Sequence, residues 1–245
     1  MADTTLRVCS LYPELMNIYA DRGNILMLER RCAWRGIGFE YSGASLGDPV
    51  DPDAHDLFYL GGGQDRDQRL VARDLVETKG DALHAAAEQG KVILAVCGGY
   101  QLLGTSYALD DEELEGIGLV DARTVGEKGG TGGRLIGNVA IEIELDGREH
   151  SLVGFENHGG RTYLGDGEAP LGRVLRGHGN NGHDRGEGVR KGGVIGTYLH
   201  GPLLPKNAHF ADWLVRMALG IDELDPLEDE LERAAHREAA RAAGL

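Results

Sequence analysis

Residues 91–104 read KVILAVCGGYQLLG, and this stretch decides the fold. After its opening lysine the predicted strand, residues 91–96, is apolar on both faces, as expected in a parallel sheet that helices cover on both sides. Two glycines then open a predicted helix directly after Cys97. A reactive side chain on a sharp strand-to-helix turn, with small neighbours that relieve crowding, is typical of a nucleophile elbow. The stretch therefore predicts an α/β fold with a candidate nucleophile at the end of a buried strand.

Short apolar strands and helical patterns alternate around this stretch. The patterns predict further strands over residues 6–11, 37–41, 56–60, 139–145 and 194–199. Helical spacing of apolar residues predicts helices over residues 24–35, roughly 66–89 and about 207–219. Because residues 139–145 alternate apolar and charged side chains, their strand has one wet face. We expect a mostly parallel open sheet flanked by helices, with an antiparallel elaboration.

The chain has no linker long enough to mark two independent domains. We therefore expect one α/β domain over residues 1–220, followed by a helical tail over residues 221–245. Leu227, Leu231 and the following alanine pair fall on one helical stripe in that tail. The stripe is compatible with a solvated terminal helix and with a helix that docks on a partner.

The composition disfavours several classes of protein. Glycine contributes 39 of 245 residues, about twice its ordinary share of about 7 %, but without the triplet repeat of collagen. A formal net charge of −15 argues against a surface that binds nucleic acid or anionic membranes. The three cysteines form neither a disulfide framework nor a CxxC metal motif. With no export signal or long apolar run, we expect a soluble protein of the cytoplasm.

Cys97 and His200 are the candidate catalytic pair. The positive end of a helix dipole favours the thiolate of a cysteine at the helix N-terminus. His200 directly follows the predicted strand 194–199, and residues beyond the carboxyl ends of strands line the ligand crevice of an open α/β sheet. A buried cysteine at a strand end and a structural histidine are the alternatives, because spacing alone does not show that the two side chains converge.

A thiolate nucleophile also requires donors for the oxyanion that forms when it attacks a carbonyl. The backbone N–H of Gly98 is one candidate, since it follows Cys97 directly. Gly62 and Gly63 are the others, because they belong to a glycine turn at the end of the predicted strand 56–60. Glycine lets backbone amides approach a ligand closely.

Two further motifs point away from nucleotide and metal binding. Residues 177–182, GHGNNG, satisfy GxGxxG, but HDRGEG follows where a dinucleotide-binding fold requires a helix. His178, His183 and Asp184 are better explained as part of a polar loop than as metal ligands. The sequence also contains no GxxxxGK[ST] motif, so we expect any ATP chemistry to belong to another chain.

Several segments in order along residues 6 to 220 resemble a class I glutamine amidotransferase of the cobyric-acid-synthase-like branch. The segments are LYPELMNIY (residues 11–19), YLGGGQD (59–65), AVCGGYQLLG (95–104), GFENHGGRT (154–162), GTYLHGP (196–202) and LLPKN (203–207). The resemblance implies the class I amidotransferase fold, and it extends over most of the chain.

The resemblance also implies roles for individual residues. Cys97 would attack the side-chain amide of glutamine to give a thioester and ammonia, and water would then release glutamate. His200 would act as general base and then general acid. Arg134 is similar to the arginine that binds the substrate, and a guanidinium suits the α-carboxylate because it donates two parallel hydrogen bonds. The resemblance implies no metal or cofactor in this chain.

The sequence departs from the pattern of many class I members at two positions. Ala95 stands where glycine is common, and Gly201-Pro202 follows His200 where an acid often orients the histidine. The resemblance therefore implies a Cys-His dyad or an acid from elsewhere. Glu156 and His158 are candidates for supporting roles in that part of the site.

Within the branch, the chain most resembles glutaminase subunits that act with a separate synthetase. The resemblance implies a Mur-ligase-like partner that binds ATP and Mg²⁺ and amidates the D-glutamate of the lipid II stem peptide. The same half-reaction with another acceptor, such as a cobalamin-precursor carboxylate, is one alternative. A non-catalytic binding module on the amidotransferase fold is the other.

Overall fold

The computed structural model describes residues 4–17, 22–109, 112–126 and 133–245. Its strands are β1 (Thr5–Leu11), β2 (Gly38–Ala44), β3 (Leu57–Leu60), β4 (Val92–Val96), β5 (Ser106–Leu109), β6 (Glu112–Glu115), β7 (Ala122–Gly126), β8 (Leu135–Leu145), β9 (Arg148–His158), β10 (Gly160–Leu164), β11 (Gly172–Arg176), β12 (Gly186–Glu187), β13 (Val189–Lys191) and β14 (Val194–Thr197). Its helices are α1 (Arg22–Ala33), α2 (Asp65–Asp74), α3 (Gly80–Glu88), α4 (Gly98–Leu103), α5 (Leu203–Lys206), α6 (Ala208–Leu219) and α7 (Glu230–Ala243).

The main sheet has six strands in the order β13-β14-β4-β3-β1-β2. Every neighbouring pair is parallel except β13 and β14, which are antiparallel. All five residues of β4 are fully buried, which agrees with the two apolar faces of this segment in the sequence. The predicted fold class, a mostly parallel sheet flanked by helices, is confirmed.

Two four-stranded sheets form the elaboration, in the orders β10-β7-β5-β6 and β12-β11-β8-β9. The second is antiparallel throughout, and β8 pairs with β9 along their whole lengths. In β8, Ile141 and Ile143 are buried, whereas Glu142 and Glu144 are not. The predicted wet face is confirmed, and β8 begins at Leu135, earlier than the sequence pattern indicates.

The helical pattern predicted over residues 66–89 is interrupted by a π-helical turn, Leu75–Lys79, between α2 and α3. Lys79 is fully buried there and donates hydrogen bonds to Asp74 and to the carbonyl oxygen of Ser45. Its ammonium also lies 4.6 Å from the centre of the Tyr12 ring, and the Tyr12 hydroxyl donates to Asp74. Apolar periodicity does not reveal the turn, because it is held by polar contacts and two of the partners, Ser45 and Tyr12, come from distant segments.

Polar contacts attach helix α7 to strands β8 and β9 and to helix α5. It begins at Glu230, and none of its residues is buried; Leu231 is 77 % exposed. The predicted apolar stripe therefore does not pack into the core. Instead, His236 hydrogen-bonds through its two ring nitrogens to the Ser151 hydroxyl and the Lys206 carbonyl, and Asn138 donates to the Ala242 carbonyl. Within the described ranges, no helix combines the length and apolar character needed to cross a bilayer.

Arg31 ties the segment before α7 to α1 and α6. It is fully buried and bonds both Asp212 and Asp229. Replacing it in Arg31→Ala leaves Asp229 without this guanidinium and Asp212 with Arg35 alone, which we expect to lower the free energy of unfolding by about 3 kcal/mol, the lower end of the range for breaking a buried ion pair. Urea denaturation at pH 7 measures this change. The exposed neighbour on the same helix provides the control, since Arg30→Ala should change stability by less than about 0.5 kcal/mol; equal losses for both variants would contradict the prediction.

Candidate active site

Cys97 lies at the turn between β4 and α4 in a strained backbone conformation. Its φ and ψ angles are 55° and −112°, in a region that side chains other than glycine rarely adopt. The Cys97 N–H donates to the Thr197 carbonyl at 2.8 Å, which anchors the turn to β14. The structure thus places Cys97 on a nucleophile elbow, as the sequence predicts.

The two glycines after Cys97 allow this turn to pack against the ends of β3 and α2. A Cβ atom on Gly99 would lie 2.5 Å from the Leu60 carbonyl oxygen and 2.7 Å from that of Gly61. A Cβ atom on Gly98 would lie 1.9 Å from Nε2 of Gln68. The Gly99 N–H also donates to the Gly61 carbonyl at 3.0 Å. Side chains at these positions would push the elbow away from its neighbours.

His200 reaches the same edge of the sheet from β14. The two strands run parallel with Thr197 opposite Val96, so Cys97 and His200 both follow the carboxyl ends of adjacent strands. Backbone hydrogen bonds of 3.0 Å in both directions join His200 to Phe155 of β9. The expectation that these two residues come from neighbouring strand ends is met by the topology.

The surroundings of His200 favour the neutral imidazole. The residue is 3 % exposed, and burial lowers its pKa to about 4, helped by electrostatic interactions with His158, Lys206 and Arg134 that disfavour a second cation. The negative charge of Glu156 opposes this shift. A neutral imidazole at pH 7 can accept a proton, as a general base must.

An open cavity of about 530 Å³ lies in front of Cys97. Polar side chains dominate its lining, which includes Gln68, Cys97, Gln101, Arg134, Asn157 and His158. Arg134 is exposed, and Asn157 holds it by accepting from Nε at 2.7 Å through its side chain and from Nη2 at 2.8 Å through its carbonyl. Arg134 therefore shares one cavity with Cys97. The glycine-rich residues 127–132 before it lie outside the described residues, as do residues 18 and 19.

The candidate oxyanion glycines come from two elements that meet at the elbow. The Gly63 nitrogen lies 3.3 Å from the position of a Cβ atom on Gly98, so the two backbone segments are in contact. Gly63 also lines the cavity, whereas Gly62 is buried. The structure thus brings Gly63 and Gly98 together beside the nucleophile and places Gly62 one residue further from the cavity.

Comparison with known proteins identifies the family. A family model described as the CobB/CobQ-like glutamine amidotransferase domain matches residues 7–208. The chain belongs to this family.

Individual relatives of this amidotransferase show the same similarity. It is 40 % identical over 215 residues to the lipid II isoglutaminyl synthase (glutamine-hydrolyzing) subunit GatD of Streptococcus pneumoniae, covering 87 % of this chain and 80 % of that protein. GatD of Staphylococcus aureus is also 40 % identical, over 87 % of this chain and 84 % of its own. Cobyric acid synthase of Pelotomaculum thermopropionicum is 38 % identical over 55 % of this chain but only 28 % of its own.

A solved structure shows the same fold. A chain in the structure of PurLQS from Thermotoga maritima aligns with a TM-score of 0.58 over 88 % of this chain and 95 % of its own. At 23 % identity, this likeness concerns the fold alone. The expected class I amidotransferase architecture is confirmed.

A buried polar network around Tyr198 lies beside the cavity of this amidotransferase. Of its members, only His158 has a role predicted from the sequence. The Tyr198 hydroxyl lies 2.6 Å from that of Thr162 and accepts from Nε2 of Gln101 at 3.1 Å. The ring of Tyr198 stacks on that of His158, with centroids 3.6 Å apart. Glu187 accepts the Tyr198 N–H, and burial raises the pKa of this carboxyl to about 8. The sequence signal for such a network is the presence of polar residues within otherwise apolar segments.

The GHGNNG loop has a structural role in this amidotransferase. Glu156, fully buried, accepts the N–H groups of His178 and Gly179 at 2.7 and 2.9 Å. Asn180 accepts from the Tyr100 hydroxyl, and the chain continues into β12, where a dinucleotide-binding motif would have a helix. No group of three or more His, Cys, Asp or Glu side chains in the described ranges is placed to hold a metal ion.

The crowding around Gly99 predicts a specific defect. In Gly99→Ala the new methyl group would meet two backbone carbonyl oxygens, which cannot move without shifting β3. We expect the free energy of unfolding to fall by about 1–3 kcal/mol, measured by urea denaturation. The matched control is Gly167→Ala, because a Cβ atom there meets nothing within 4 Å. Similar stability of Gly99→Ala and wild type would show that the elbow tolerates a side chain.

The environment of His200 predicts its titration. Because burial lowers the pKa to about 4, His200 should stay neutral down to about pH 5 and take up a proton only below that. Carbon-13 NMR of labelled histidine, assigned with His200→Gln, measures this over the pH range in which circular dichroism shows a folded protein. A midpoint near the ordinary value of about 6.5 would contradict the prediction.

Proposed function

We propose that this chain is the glutaminase subunit of a lipid II isoglutaminyl synthase. It hydrolyses glutamine and supplies the ammonia to a Mur-ligase-like partner subunit, which amidates the D-glutamate of lipid II at the expense of ATP. The observation that carries the proposal is the 40 % identity to two GatD subunits over 87 % of the chain. The elbow at Cys97 and the polar cavity in front of it support glutamine as the substrate.

The first half-reaction uses Cys97 and His200. His200 accepts the thiol proton, and Sγ of Cys97 attacks the carboxamide carbon of glutamine to form a carbon–sulfur bond. The carbonyl electron pair moves onto oxygen, and the backbone N–H groups of Gly98 and Gly63 stabilise that oxyanion. Arg134 donates to the α-carboxylate of the same glutamine, which aligns the carboxamide with the nucleophile.

The oxyanion then re-forms the carbonyl, and the carbon–nitrogen bond breaks. His200 returns its proton to the departing nitrogen, so ammonia leaves and a thioester remains on Cys97. A water molecule attacks the thioester, again with His200 as the base, and the carbon–sulfur bond breaks. Glutamate is released, and the Cys97 thiol is restored with its proton.

In this proposal Cys97 and His200 act as a dyad, without a third catalytic acid among the described residues. Gly201-Pro202 follows His200 in place of an acid, and Glu156 is engaged by the two backbone N–H groups of the GHGNNG loop. Glu156 therefore supports the loop and contributes negative charge near His200. His158 donates through Nδ1 to the Gly160 carbonyl at 2.9 Å, which fixes the orientation of its ring.

We assign ATP and Mg²⁺ to the partner subunit, because the steps above need only side chains, backbone and water. The sequence also has no GxxxxGK[ST] motif. Hydrolysis through Cys97 needs a reduced thiol, and we therefore place the reaction in the cytoplasm. A cobalamin-precursor carboxylate as the acceptor is the second candidate, favoured by the 38 % identity to a cobyric acid synthase.

The proposal predicts that Cys97→Ala separates ammonia production from ammonia use. With the full chain, its co-expressed partner, ATP and lipid II, the variant should lose glutamine hydrolysis and glutamine-dependent amidation by at least about 1000-fold. Ammonium chloride should restore amidation, because the partner remains intact. Mass spectrometry of the stem peptide and a glutamate assay measure the two reactions.

Cys32→Ala is the matched control, because Cys32 is also a buried cysteine but lies in α1, outside the lining of the cavity. Its replacement should leave the glutaminase rate unchanged. Glutamine hydrolysis that persists in Cys97→Ala would remove Cys97 from its role. A wild-type complex that hydrolyses glutamine but leaves lipid II unmodified would favour the other acceptor. An elbow that is not labelled by a glutamine-analogue electrophile would favour the non-catalytic module.

A further inference from the structure

Gln68 lies against the nucleophile elbow from the neighbouring helix α2. Its side chain is 3 % exposed and lines the same cavity as Cys97. Its Nε2 atom is 1.9 Å, and its Cδ atom 3.0 Å, from the position that a Cβ atom on Gly98 would take. The amide group of Gln68 therefore packs directly on the backbone whose N–H is a candidate oxyanion donor.

The carbonyl oxygen of this amide has no hydrogen-bond partner among the described residues. Oε1 of Gln68 is buried from solvent as well, and rotation of the terminal amide about the Cγ–Cδ bond, a torsion with broad preferences, turns it toward the cavity that the residue lines. A buried acceptor without a donor destabilises a folded protein, and native structures contain few of them. An apolar side chain of similar size would pack in the same place without this defect. Such a group is expected where a ligand supplies the missing partner.

The reacting end of the cavity has the hydrogen-bonding pattern of a primary carboxamide. In the mechanism proposed above, the backbone N–H groups of Gly63 and Gly98 donate to the carbonyl oxygen of the substrate, and Oε1 of Gln68 is an acceptor for an N–H group. Arg134 is occupied with Asn157 in the part of the cavity that we assign to the α-carboxylate. The acceptor therefore lies beside the group that reacts.

We propose that Oε1 of Gln68 accepts a hydrogen bond from the carboxamide N–H of the substrate and so determines specificity for an amide. This role rests on the proposed function and adds a residue to it. The γ-carboxylate of the product has no N–H, and its oxygens would face the Gln68 oxygen. The site thus binds glutamine better than glutamate, and the same hydrogen bond orients the nitrogen that His200 protonates.

Gln68→Met tests this role, because methionine keeps the length and volume of the side chain and removes the acceptor. With the full chain and its co-expressed partner, we expect kcat/KM for glutamine to fall about 10-fold, the effect of one lost hydrogen bond. L-Glutamate γ-methyl ester forms the same thioester and releases methanol, but it has no amide N–H. Its kcat/KM should change by less than about 2-fold, which a misplaced elbow would not allow.

Thermal unfolding gives an independent readout. Removing the unpartnered oxygen should leave the melting temperature of Gln68→Met unchanged or raise it, and the more distant Gln89→Met controls for the same exchange on the surface. Equal losses on amide and ester, or a lower melting temperature in both Gln68→Met and Gln68→Leu, would assign Gln68 to the packing of the elbow and overturn the proposal. An inactive wild type would instead contradict the proposed function.

Discussion

The close contact between the Cys97 turn and the ends of β3 and β14 is the constraint on which the site depends. One backbone hydrogen bond ties Cys97 to Thr197, and another ties Gly99 to Gly61. Together they hold a cysteine at a positive φ angle, which an isolated strand-to-helix connection would avoid. Because the parallel sheet supplies both anchors, the position of the thiol is a property of the core and not of a loop.

Much of this arrangement could be predicted from the sequence. The uninterrupted apolar run of β4 and the glycines after Cys97 are local signals, because strand burial and a sharp turn both restrict residue types nearby. His200 could be chosen among nine histidines because it follows a strand with the same apolar character. The alternation of apolar and charged residues in β8 likewise predicts its solvent-exposed face. Each of these features depends on a few consecutive residues.

The remaining features depend on contacts between distant segments. Contacts of Lys79 with Ser45, Asp74 and the Tyr12 ring stabilise the π-helical turn. Of these three residues only Asp74 is near Lys79 in sequence. Leu231 fits an apolar stripe but is exposed, because polar groups hold α7 in place. Gln68 lies among polar residues at the start of α2, so the sequence does not distinguish it from its neighbours. Its proposed role depends on the packing of its amide against the elbow. Residue types alone do not encode such placements.

Cys97 and Arg134 are positioned by different sheets, and strand β9 connects the two. Cys97, His200 and the candidate oxyanion glycines follow strands of the six-stranded sheet, whereas Arg134 directly precedes β8 and is held by Asn157 of β9 in an antiparallel sheet. Phe155 of the same strand bonds the backbone of His200 in both directions. A displacement of the antiparallel sheet would therefore carry Arg134 and His200 together relative to Cys97, so β9 couples the geometry of the cavity to that of the elbow.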